Sequence, residues 1–364
     1  MARSQPVVVV GAGIVGLCCA WLLQRQGHPV ALVDPALEGP PSEGSGSVAA
    51  LGVLMAQVFH RGSGRAWRLR QRSLQLWQDW LGELQARGHP VSRREGLLLL
   101  ATDPQERERQ ERLVAERQAR GFPLAFWSRE RLATLQPAVP AAALGALHSP
   151  HDGQLDPRAA MAALLADARD RGLVTHATKA AAISRGPAGQ WIVHGGAAER
   201  FNAAWLVLSA GVASAGLLEA LGHRLPMEPV LGQALELELS APPGWTWPGV
   251  VVWRGQNVVP RPDLAGGRRL WLGATLEPGD RADPSRLAEL RGWAGAELSW
   301  LQDATVRGQW QGARCHPVGR PAPLLEELEP GLLLASGHYR NGVLLAPASA
   351  QWVLEQVEHR AIEH

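Results

Sequence analysis

The stretch VVVVGAGIVGLCCAWLLQRQGHPVALVD (residues 7–34) decides the fold. Its four valines form a β-branched run, which is typical of a strand buried on both faces. A glycine-rich turn follows, and the apolar run Ile14–Gln24 predicts a helix that ends near Gly27. A second strand then ends at Asp34. This order predicts the first βαβ unit of a dinucleotide-binding domain.

Each residue of the turn has a physical reason. Gly11, Gly13 and Gly16 have the spacing GxGxxG. The first glycine permits the tight turn, the second lets a pyrophosphate approach the helix N-terminus, and the third lets helix and strand pack closely. Asp34 lies 23 positions after Gly11, where an acid accepts hydrogen bonds from ribose hydroxyls. The cluster alone does not distinguish NAD from FAD.

Composition indicates an ordered globular protein with little net charge. Of the 364 residues, 46% are apolar and 19% are charged, and the formal net charge is +2. A chain of this length can bury a sizeable core, and without a basic run or tail we expect no nucleic-acid partner. The stretch 103–121 mixes Glu and Arg at helical spacing and predicts a solvated helix with i,i+4 ion pairs.

The cysteines indicate a reducing compartment. Cys18 and Cys19 are adjacent in the first helix and Cys315 stands alone, so neither a disulfide framework nor a metal site is expected. The apolar run near the N-terminus is too short for a signal peptide or a membrane span. We therefore expect a cytoplasmic protein.

Two kinds of pattern alternate along the rest of the chain. Helices are predicted over 66–87, over 128–139 and from Asp156-Pro157 to Gly172, and buried strands at 95–102, 191–194, 205–211 and 331–337. Between 228 and 313, alternating strands dominate: GQALELEL, VVWRGQNVVPR, RRLWLGATLE and ATVRGQWQGAR. One helix, opened by Asp283-Pro284, interrupts them. This pattern predicts an antiparallel sheet inserted into an α/β protein.

Further segments make the chain resemble the D-amino-acid-oxidase-like FAD-dependent oxidoreductases, and among these the glycine oxidases of thiamine biosynthesis. Beside the glycine turn, they are SVAALGVLMAQ (47–57), GQLDPRAAMAALLADARDRG (153–172), WLVLSAGVAS (205–214), VVPRPDLAGGRRLWLGATLEPGD (258–280) and SGHYRNGVLLAPASA (336–350). The last two are the most specific, and HYRNGVLLAP favours FAD over NAD.

The pattern and the resemblance together imply a two-domain α/β fold. A Rossmann-type FAD-binding domain would comprise residues 1–87, 151–225 and 319–364. A substrate-binding domain built on an antiparallel sheet would comprise residues 88–150 and 226–318.

The resemblance also implies which residues bind FAD. Together with the three glycines of the turn, they are Ile14 and Val15 at the diphosphate, Asp34 and Pro35 at the ribose, Ala180 at adenine, Gly46, Ser47, Leu51, Gly52 and Val53 along the flavin, and Gly337, His338, Tyr339, Arg340, Asn341, Gly342, Val343 and Leu344 around the isoalloxazine ring. Some sarcosine-oxidase-like relatives attach the flavin through a cysteine in the region of Cys315, and we expect non-covalent FAD here.

The C-terminal segment suggests how the protein would treat the flavin. Hydride transfer to flavin N5 places negative charge on the N1–C2=O side of the ring. A helix N-terminus offers unpaired N–H donors and a positive dipole end. We therefore expect the first turn of the last helix to face that edge, with Gly342 permitting close backbone approach.

Oxidation of an amine needs a positioned substrate rather than a strong base. A planar guanidinium matches an α-carboxylate bidentately. By the resemblance, Arg314 binds the substrate carboxylate and Arg340 helps to close the site, whereas surface ion pairs are the alternative role for both.

Two departures from the family pattern bear on the substrate. Glycine oxidases often have a tyrosine just before the VPR segment, where this chain has Asn257, and Tyr339 is the one phenol left in the sequence. The acidic turn often found after the arginine is also missing from CHPVGRPAP. A roomier site or a different amine is therefore expected.

The leading hypothesis is FAD-dependent oxidation of glycine or another small amine, with O₂ as acceptor, to the imine and H₂O₂. The alternatives are a dehydrogenase that passes electrons to a quinone or carrier, an NAD(P)-linked reductase, and a flavin-binding protein without turnover. By resemblance the product would supply the thiazole precursor of thiamine, with a thiazole synthase as partner. The sequence leaves open whether the chain forms a homo-oligomer.

Overall fold

The computed structural model describes residues 5–38, 44–196 and 198–363. Its α-helices are α1 (Ile14–Arg25), α2 (Gly64–Ala86), α3 (Pro104–Gln118), α4 (Arg129–Leu132), α5 (Pro157–Asp170), α6 (Ala213–Glu219), α7 (Pro284–Glu297) and α8 (Gly342–Glu363).

The described residues also form twenty β-strands. They are β1 (Val7–Val10), β2 (Val30–Val33), β3 (Gly44–Ser45), β4 (Val53–Leu54), β5 (Arg93–Leu100), β6 (Ala125–Trp127), β7 (Ala146–Leu155), β8 (Val174–His176), β9 (Ala182–Arg185), β10 (Trp191–His194), β11 (Arg200–Ala203), β12 (Trp205–Leu208), β13 (Met227–Glu238), β14 (Val250–Trp253), β15 (Gln256–Arg261), β16 (Arg269–Gly273), β17 (Glu277–Pro278), β18 (Thr305–Pro317), β19 (Leu324–Glu329) and β20 (Leu332–Ser336).

The first sheet has six strands in the order β19-β20-β12-β1-β2-β8. All of its pairs are parallel except β19 with β20. After β2 the chain adds β8 on the same side of β1 and then crosses to β12 on the other side, so the crevice beyond the carboxyl ends of β1 and β12 is a topological switch point. In open α/β sheets, nucleotides bind at such a point.

Both faces of this sheet are covered. Helices α1, α2, α5 and α8 form one large core with it, in which the valines at 7 and 9 and the first-helix residues Cys18, Cys19 and Trp21 are buried. The three-stranded sheet β11-β10-β9 and helix α6 cover the other face. The prediction of a strand buried on both sides is confirmed.

The second sheet has eleven strands in the order β3-β18-β13-β16-β15-β14-β5-β7-β4, with β17 and β6 beside this path. Its neighbours are antiparallel except for β14 with β5 and β3 with β18, which are parallel. One face packs against α7, around Leu235, Leu237 and Leu290. The other face, called the inner face below, carries Ala234, Val259 and Trp271, which pack against Leu51. The predicted substrate segments supply most of this sheet, whereas β3 and β4 come from residues before 88.

Several predicted elements are confirmed with small shifts at their ends. Asp156 accepts hydrogen bonds at the start of α5, Pro157 is its first residue, and Gly172 has a positive φ just after its end. Asp283 caps α7 in the same way. Ion pairs Arg107–Glu111 and Glu108–Arg112 lie along the predicted solvated helix α3.

Two predicted elements are wrong in extent. VVWRGQNVVPR is a hairpin rather than one strand, because Arg254 and Gly255 both have positive φ and form a two-residue turn between β14 and β15. Of the helix predicted over 128–139, only α4 is helical in the structure. The cis bond before Pro137 lies in the irregular segment after α4.

Within the described residues, none of the helices combines the length and the apolar character that a bilayer span needs.

Candidate functional site

The glycine turn lies at the switch point. Gly11 has a φ of +106°, and a Cβ there would lie 2.6 Å from the carbonyl oxygen of Ser209, just after β12. A Cβ on Gly16 would collide with the carbonyl of Gly11. These two glycines are therefore required by the packing of β1, α1 and β12. Gly13 precedes the helix without a side-chain cap, so the first-turn N–H groups that Ser47 does not bind stay available to a ligand.

Two side chains from other segments complete this turn. Asp34 accepts from the N–H of Ala12 at 2.8 Å and from the N–H of Ala36 at 2.8 Å, using one carboxylate oxygen for each. Each oxygen keeps a lone pair that can accept from a ribose hydroxyl. Ser47 accepts from the N–H of Ile14 at 3.0 Å, so the predicted flavin-lining segment reaches the start of α1.

The other predicted nucleotide residues lie around this crevice. Val15 is buried in the first turn of α1, and Pro35 is exposed at the start of a 3₁₀ turn after β2. Ala180 packs against the core that contains Val10 and Val33, on the side of the three-stranded sheet.

The segment from Gly44 to Val53 is attached to the strand that carries Arg314. Strand β3 pairs with Gly312 and Ala313 of β18, and a Cβ on Gly46 would lie 2.5 Å from the Ala313 carbonyl oxygen. Trp310 of the same strand donates its indole N–H to the Ala49 carbonyl at 3.0 Å. The position of this segment therefore depends on β18.

The far end of the same segment is fixed by β7. Gly52 has a φ of +75°, and any Cβ there would collide with the Leu155 carbonyl. Leu51 is buried and Val53 pairs with Gln154.

The predicted flavin-edge residues form a turn that leads directly into α8. Gly337 and Tyr339 have positive φ values, and Tyr339 to Asn341 make one 3₁₀ turn before the helix begins at Gly342. A Cβ on Gly342 would find only the His338 Cβ, at 3.8 Å. The protein's own packing therefore does not require glycine here, and the space beside this backbone is open.

Three side chains hold this turn and the start of α8. His338 is buried and its Nε2 lies 2.8 Å from Ser349 Oγ. Ser349 donates its hydroxyl hydrogen to the Leu345 carbonyl at 2.9 Å, so it accepts from His338, whose proton is then on Nε2. Burial, with a smaller contribution from Arg65, lowers the pKa of His338 to about 3. Trp77 donates to the Val343 carbonyl at 2.8 Å.

Arg314 lies on the inner face of the second sheet, over the neighbouring strand. A Cβ on Gly232 would lie 2.5 Å from Arg314 Nη1, so the guanidinium occupies the place of a side chain at that position. Nη1 donates to the Leu231 carbonyl at 3.0 Å. Burial, and next the positive charge of Arg340, lower the pKa of Arg314.

Arg314 is a half-buried cation without a counter-ion in contact. Among the described residues, neither Arg314 nor Arg340 forms an ion pair within 4.0 Å. Arg340 is exposed, and the Tyr339 ring lies 4.6 Å from the ring of His316, which shares a face of β18 with Arg314. Arg340 and Tyr339 both lie near enough to Arg314 to act on its charge.

Asn257 lies on the same face, further along the sheet. It pairs with Gly273 of β16, which pairs with Ala234 of β13. Its amide Nδ2 donates to the Gly273 carbonyl at 3.1 Å.

Cys315 lies on the opposite side of its strand from Arg314. Its thiol is buried 3.2 Å from Met227 Sδ, and burial raises its pKa. A thiol in that place does not face the space around Arg314.

The sequence analysis did not predict three features of the site: the place of the Arg314 guanidinium over Gly232, the contact of Ser47 with α1, and the hydrogen bond from Trp310 to Ala49. A glycine in the alternating strand GQALELEL was an available signal, because a glycine within a strand often marks the close approach of another group. The two side-chain contacts link distant segments and left no local pattern.

Known proteins resemble this chain over nearly its whole length. The family model DAO, described as FAD dependent oxidoreductase, matches residues 6–356. A glycine oxidase of Geobacillus kaustophilus is 29% identical over 368 residues, which cover 99% of this chain and 94% of that protein. The crystal structure of a glycine oxidase from the same species superposes with a TM-score of 0.86 at 28% identity, covering 98% and 95% of the two chains. The Bifunctional protein ThiO/ThiG of a Nostoc species is 25% identical over 97% of this chain and 53% of its own length.

The residues present fit an FAD. The open space at Gly342 can be filled by a flat ring, the N-termini of α1 and α8 supply N–H donors, and the Asp34 carboxylate keeps lone pairs that can accept from a hydroxyl.

Proposed function

Because the chain belongs to the DAO family of FAD-dependent oxidoreductases, we propose that it oxidises glycine or another small amino acid or amine. Bound FAD supplies the hydride acceptor, at N5, for the hydrogen that leaves the substrate Cα and gives the imine. The residues of the chain then bind the substrate and orient its Cα–H bond.

The observation that carries this proposal is the unpaired guanidinium of Arg314. A half-buried cation that lies flat over Gly232, with a backbone carbonyl as its hydrogen-bond acceptor, is ready to receive an anion. An α-carboxylate matches its planar geometry. Arg340 would add a second positive charge at the exposed side, and Tyr339 would add a hydroxyl.

The predicted FAD-binding residues are part of the proposal. We infer that the turn around Gly13, with Asp34, binds the nucleotide, and that the segment 46–53 and the residues 337–344 border the ring. The N–H groups in the first turn of α8 would stabilise the negative charge that develops at the adjacent ring edge.

The electron acceptor and the metabolic role are proposed as well. O₂ as acceptor would give H₂O₂, whereas a dehydrogenase would pass electrons to a quinone or carrier. Turnover that releases peroxide in air indicates the oxidase, and turnover that requires an artificial dye as acceptor indicates the dehydrogenase. The resemblance to glycine oxidases, and the fused relative from Nostoc, support a role in making the thiazole precursor of thiamine beside a thiazole synthase. The three buried, unpaired cysteines suit a cytoplasmic location.

The test is anaerobic titration of the purified holoenzyme with glycine, sarcosine, D-alanine and D-proline, followed by the bleaching of flavin absorbance. Arg314→Met should raise KM about 100-fold for any amino acid that bleaches the wild type, because two charge-assisted hydrogen bonds are lost. Arg307→Met, on the same strand but paired with Glu238, is the matched control. If no amine bleaches the flavin, or if KM is unchanged in Arg314→Met, the proposal is wrong.

A further inference from the structure

We propose that Asn257 binds an N–H of the substrate's amino group through its Oδ1, rather than the substrate carboxylate. This inference rests on the proposed function, since it assigns one polar contact within the same site. It reverses the polarity expected from a tyrosine at this place, whose hydroxyl can donate to a carboxylate.

The orientation of the Asn257 amide carries the first step. The Gly273 carbonyl is an acceptor, so the Asn257 group 3.1 Å from it must be the NH₂. The donor side of the amide is thereby turned toward β16. Oδ1 accepts no hydrogen bond from the part of the chain that the structure describes. This oxygen is also not buried, so a ligand can reach it. What Asn257 offers to a ligand is therefore an acceptor.

The surface between Arg314 and Asn257 carries the second step. Three residues of the inner face lie between them, Gly232, Ala234 and Gly273, and we call them the small-residue floor. The Arg314 guanidinium covers Gly232 and none of the three has a side chain larger than a methyl group. Along the line from the guanidinium to Asn257, the sheet itself therefore presents only these small residues.

The length of that line carries the third step. Gly232 and Ala234 are two residues apart on β13, and β15 is two strands away from β13, so about 12 Å separate the guanidinium from the Asn257 backbone. The side chain shortens this gap by about 2 to 3 Å. A carboxylate on Arg314 and an amino group on Asn257, with a hydrogen bond of about 3 Å at each end, span about 9 to 10 Å, which matches.

The chemistry then follows from charge. A carbonyl oxygen repels a carboxylate and attracts an N–H, so Asn257 favours the amino end of the substrate. After the nitrogen has lost its proton, a primary amine keeps two N–H bonds, a secondary amine one and a tertiary amine none. The structure therefore assigns the substrate to primary or secondary α-amino acids and disfavours N,N-dialkylated ones.

The test compares two ligands that cannot be oxidised at Cα, 2-aminoisobutyrate and isobutyrate, which differ by the amino group. Their dissociation constants are measured with holoenzyme from the perturbation of the flavin absorbance. Wild type should bind 2-aminoisobutyrate more tightly. The near-isosteric variant Asn257→Leu should weaken 2-aminoisobutyrate about tenfold and leave isobutyrate within twofold.

A second variant and a control keep the test decisive. Asn257→Tyr, which brings a phenolic donor over the small-residue floor, should strengthen isobutyrate relative to 2-aminoisobutyrate. Asn202→Leu, in an exposed strand of the three-stranded sheet, should change neither. Equal binding of the two ligands by wild type, or equal weakening of both in Asn257→Leu, would overturn the inference. Bleaching by glycine or sarcosine in the wild type tests the proposed function separately.

Discussion

Gly232 determines where the Arg314 guanidinium can lie. The guanidinium occupies the volume of a side chain at position 232, with Nη1 2.5 Å from where a Cβ would be. Its charge is unpaired among the described residues, so its position is set by this space and by the Leu231 carbonyl. The site therefore depends on a residue that has no functional group.

We predict that Gly232→Ala will separate substrate binding from folding. The methyl group will displace the guanidinium and raise the dissociation constant for acetate at least tenfold, whereas FAD binding will be unchanged. Alanine in a strand interior is otherwise favourable over glycine, so unfolding should not become easier by more than about 1 kcal/mol. Acetate binding is measured from the flavin absorbance.

Gly308→Ala is the matched control for that change. It lies on β18, and its Cβ would make an ordinary contact, 3.7 Å from the Glu236 Cβ. Equal acetate affinity in wild type and Gly232→Ala would show that the guanidinium position does not matter.

The burial of His338 predicts a pH dependence of stability. Its pKa is about 3 in the fold and about 6.5 in an unfolded chain, so only the unfolded state takes up this proton between those values. Its contribution to stability is present above pH 6.5 and is lost as the pH falls toward 3, with a slope of up to about 1.4 kcal/mol per pH unit.

His338→Gln should remove this slope, because a glutamine amide can still donate to Ser349 and does not titrate. The measurement is urea unfolding between pH 7.5 and 5. His151→Gln, an exposed residue of β7, is the control and should keep the wild-type slope. A slope that is the same in His338→Gln and wild type would contradict the assignment.

At the scale of elements, α8 is positioned by α2. Trp77 donates to the Val343 carbonyl in the first turn of α8, and Ser73 accepts from the N–H of Ala348 one turn later. Because this first turn begins at Gly342, beside the open space, the direction of its N–H groups depends on α2.

We predict that Trp77→Phe will shift the flavin absorbance maximum and lower the free energy of unfolding by about 1 to 2 kcal/mol, since a buried carbonyl loses its donor. Trp247→Phe is the matched control, because Trp247 is buried in the core cluster that contains Leu290 of α7 and also donates to a carbonyl, that of Pro137. It should lose similar stability without a spectral shift. A shift in both variants, or in neither, would rule out a specific role for the α2–α8 contact.

Elements with strong local signals could be predicted from the sequence, and those made by long-range pairing could not. The strand β1, the helix α1 and the cap of α5 were found because valine runs, glycine spacing and an Asp-Pro pair act locally. The two-residue strands β3 and β4 exist because distant β18 and β7 pair with them.

The candidate site divides in the same way. The glycine turn could be predicted, because residue type and spacing carry it, whereas Arg314 was proposed from the resemblance to the family. The open space at Gly342, the cover of Gly232 by a guanidinium and the orientation of the Asn257 amide are properties of packing, which no local pattern encodes.

At the scale of the whole molecule, the two ends of the chain meet at one sheet. Strand β1 and strand β20 both lie in the six-stranded sheet, separated by β12, and α8 packs in the same core as α1. We propose that this sheet marks the FAD-binding domain and the eleven-stranded sheet the substrate-binding domain. An extended dinucleotide would then contact the first and the last helix at once.

Removal of FAD should therefore loosen both ends together. With FAD at 100 times its dissociation constant, binding stabilises the fold by about 2.7 kcal/mol. Removal of the FAD should therefore lower Tm by about 3 to 4 °C for a chain of this length. Hydrogen exchange should rise in residues 11–16 and in residues 337–345 in the apoprotein, and stay unchanged in α7, which packs on the far face of the second sheet. If exchange rises at one end alone, the cofactor does not join the two ends of the chain. Re-addition of FAD must restore protection at both, because a common ligand couples the two segments only when it touches each of them.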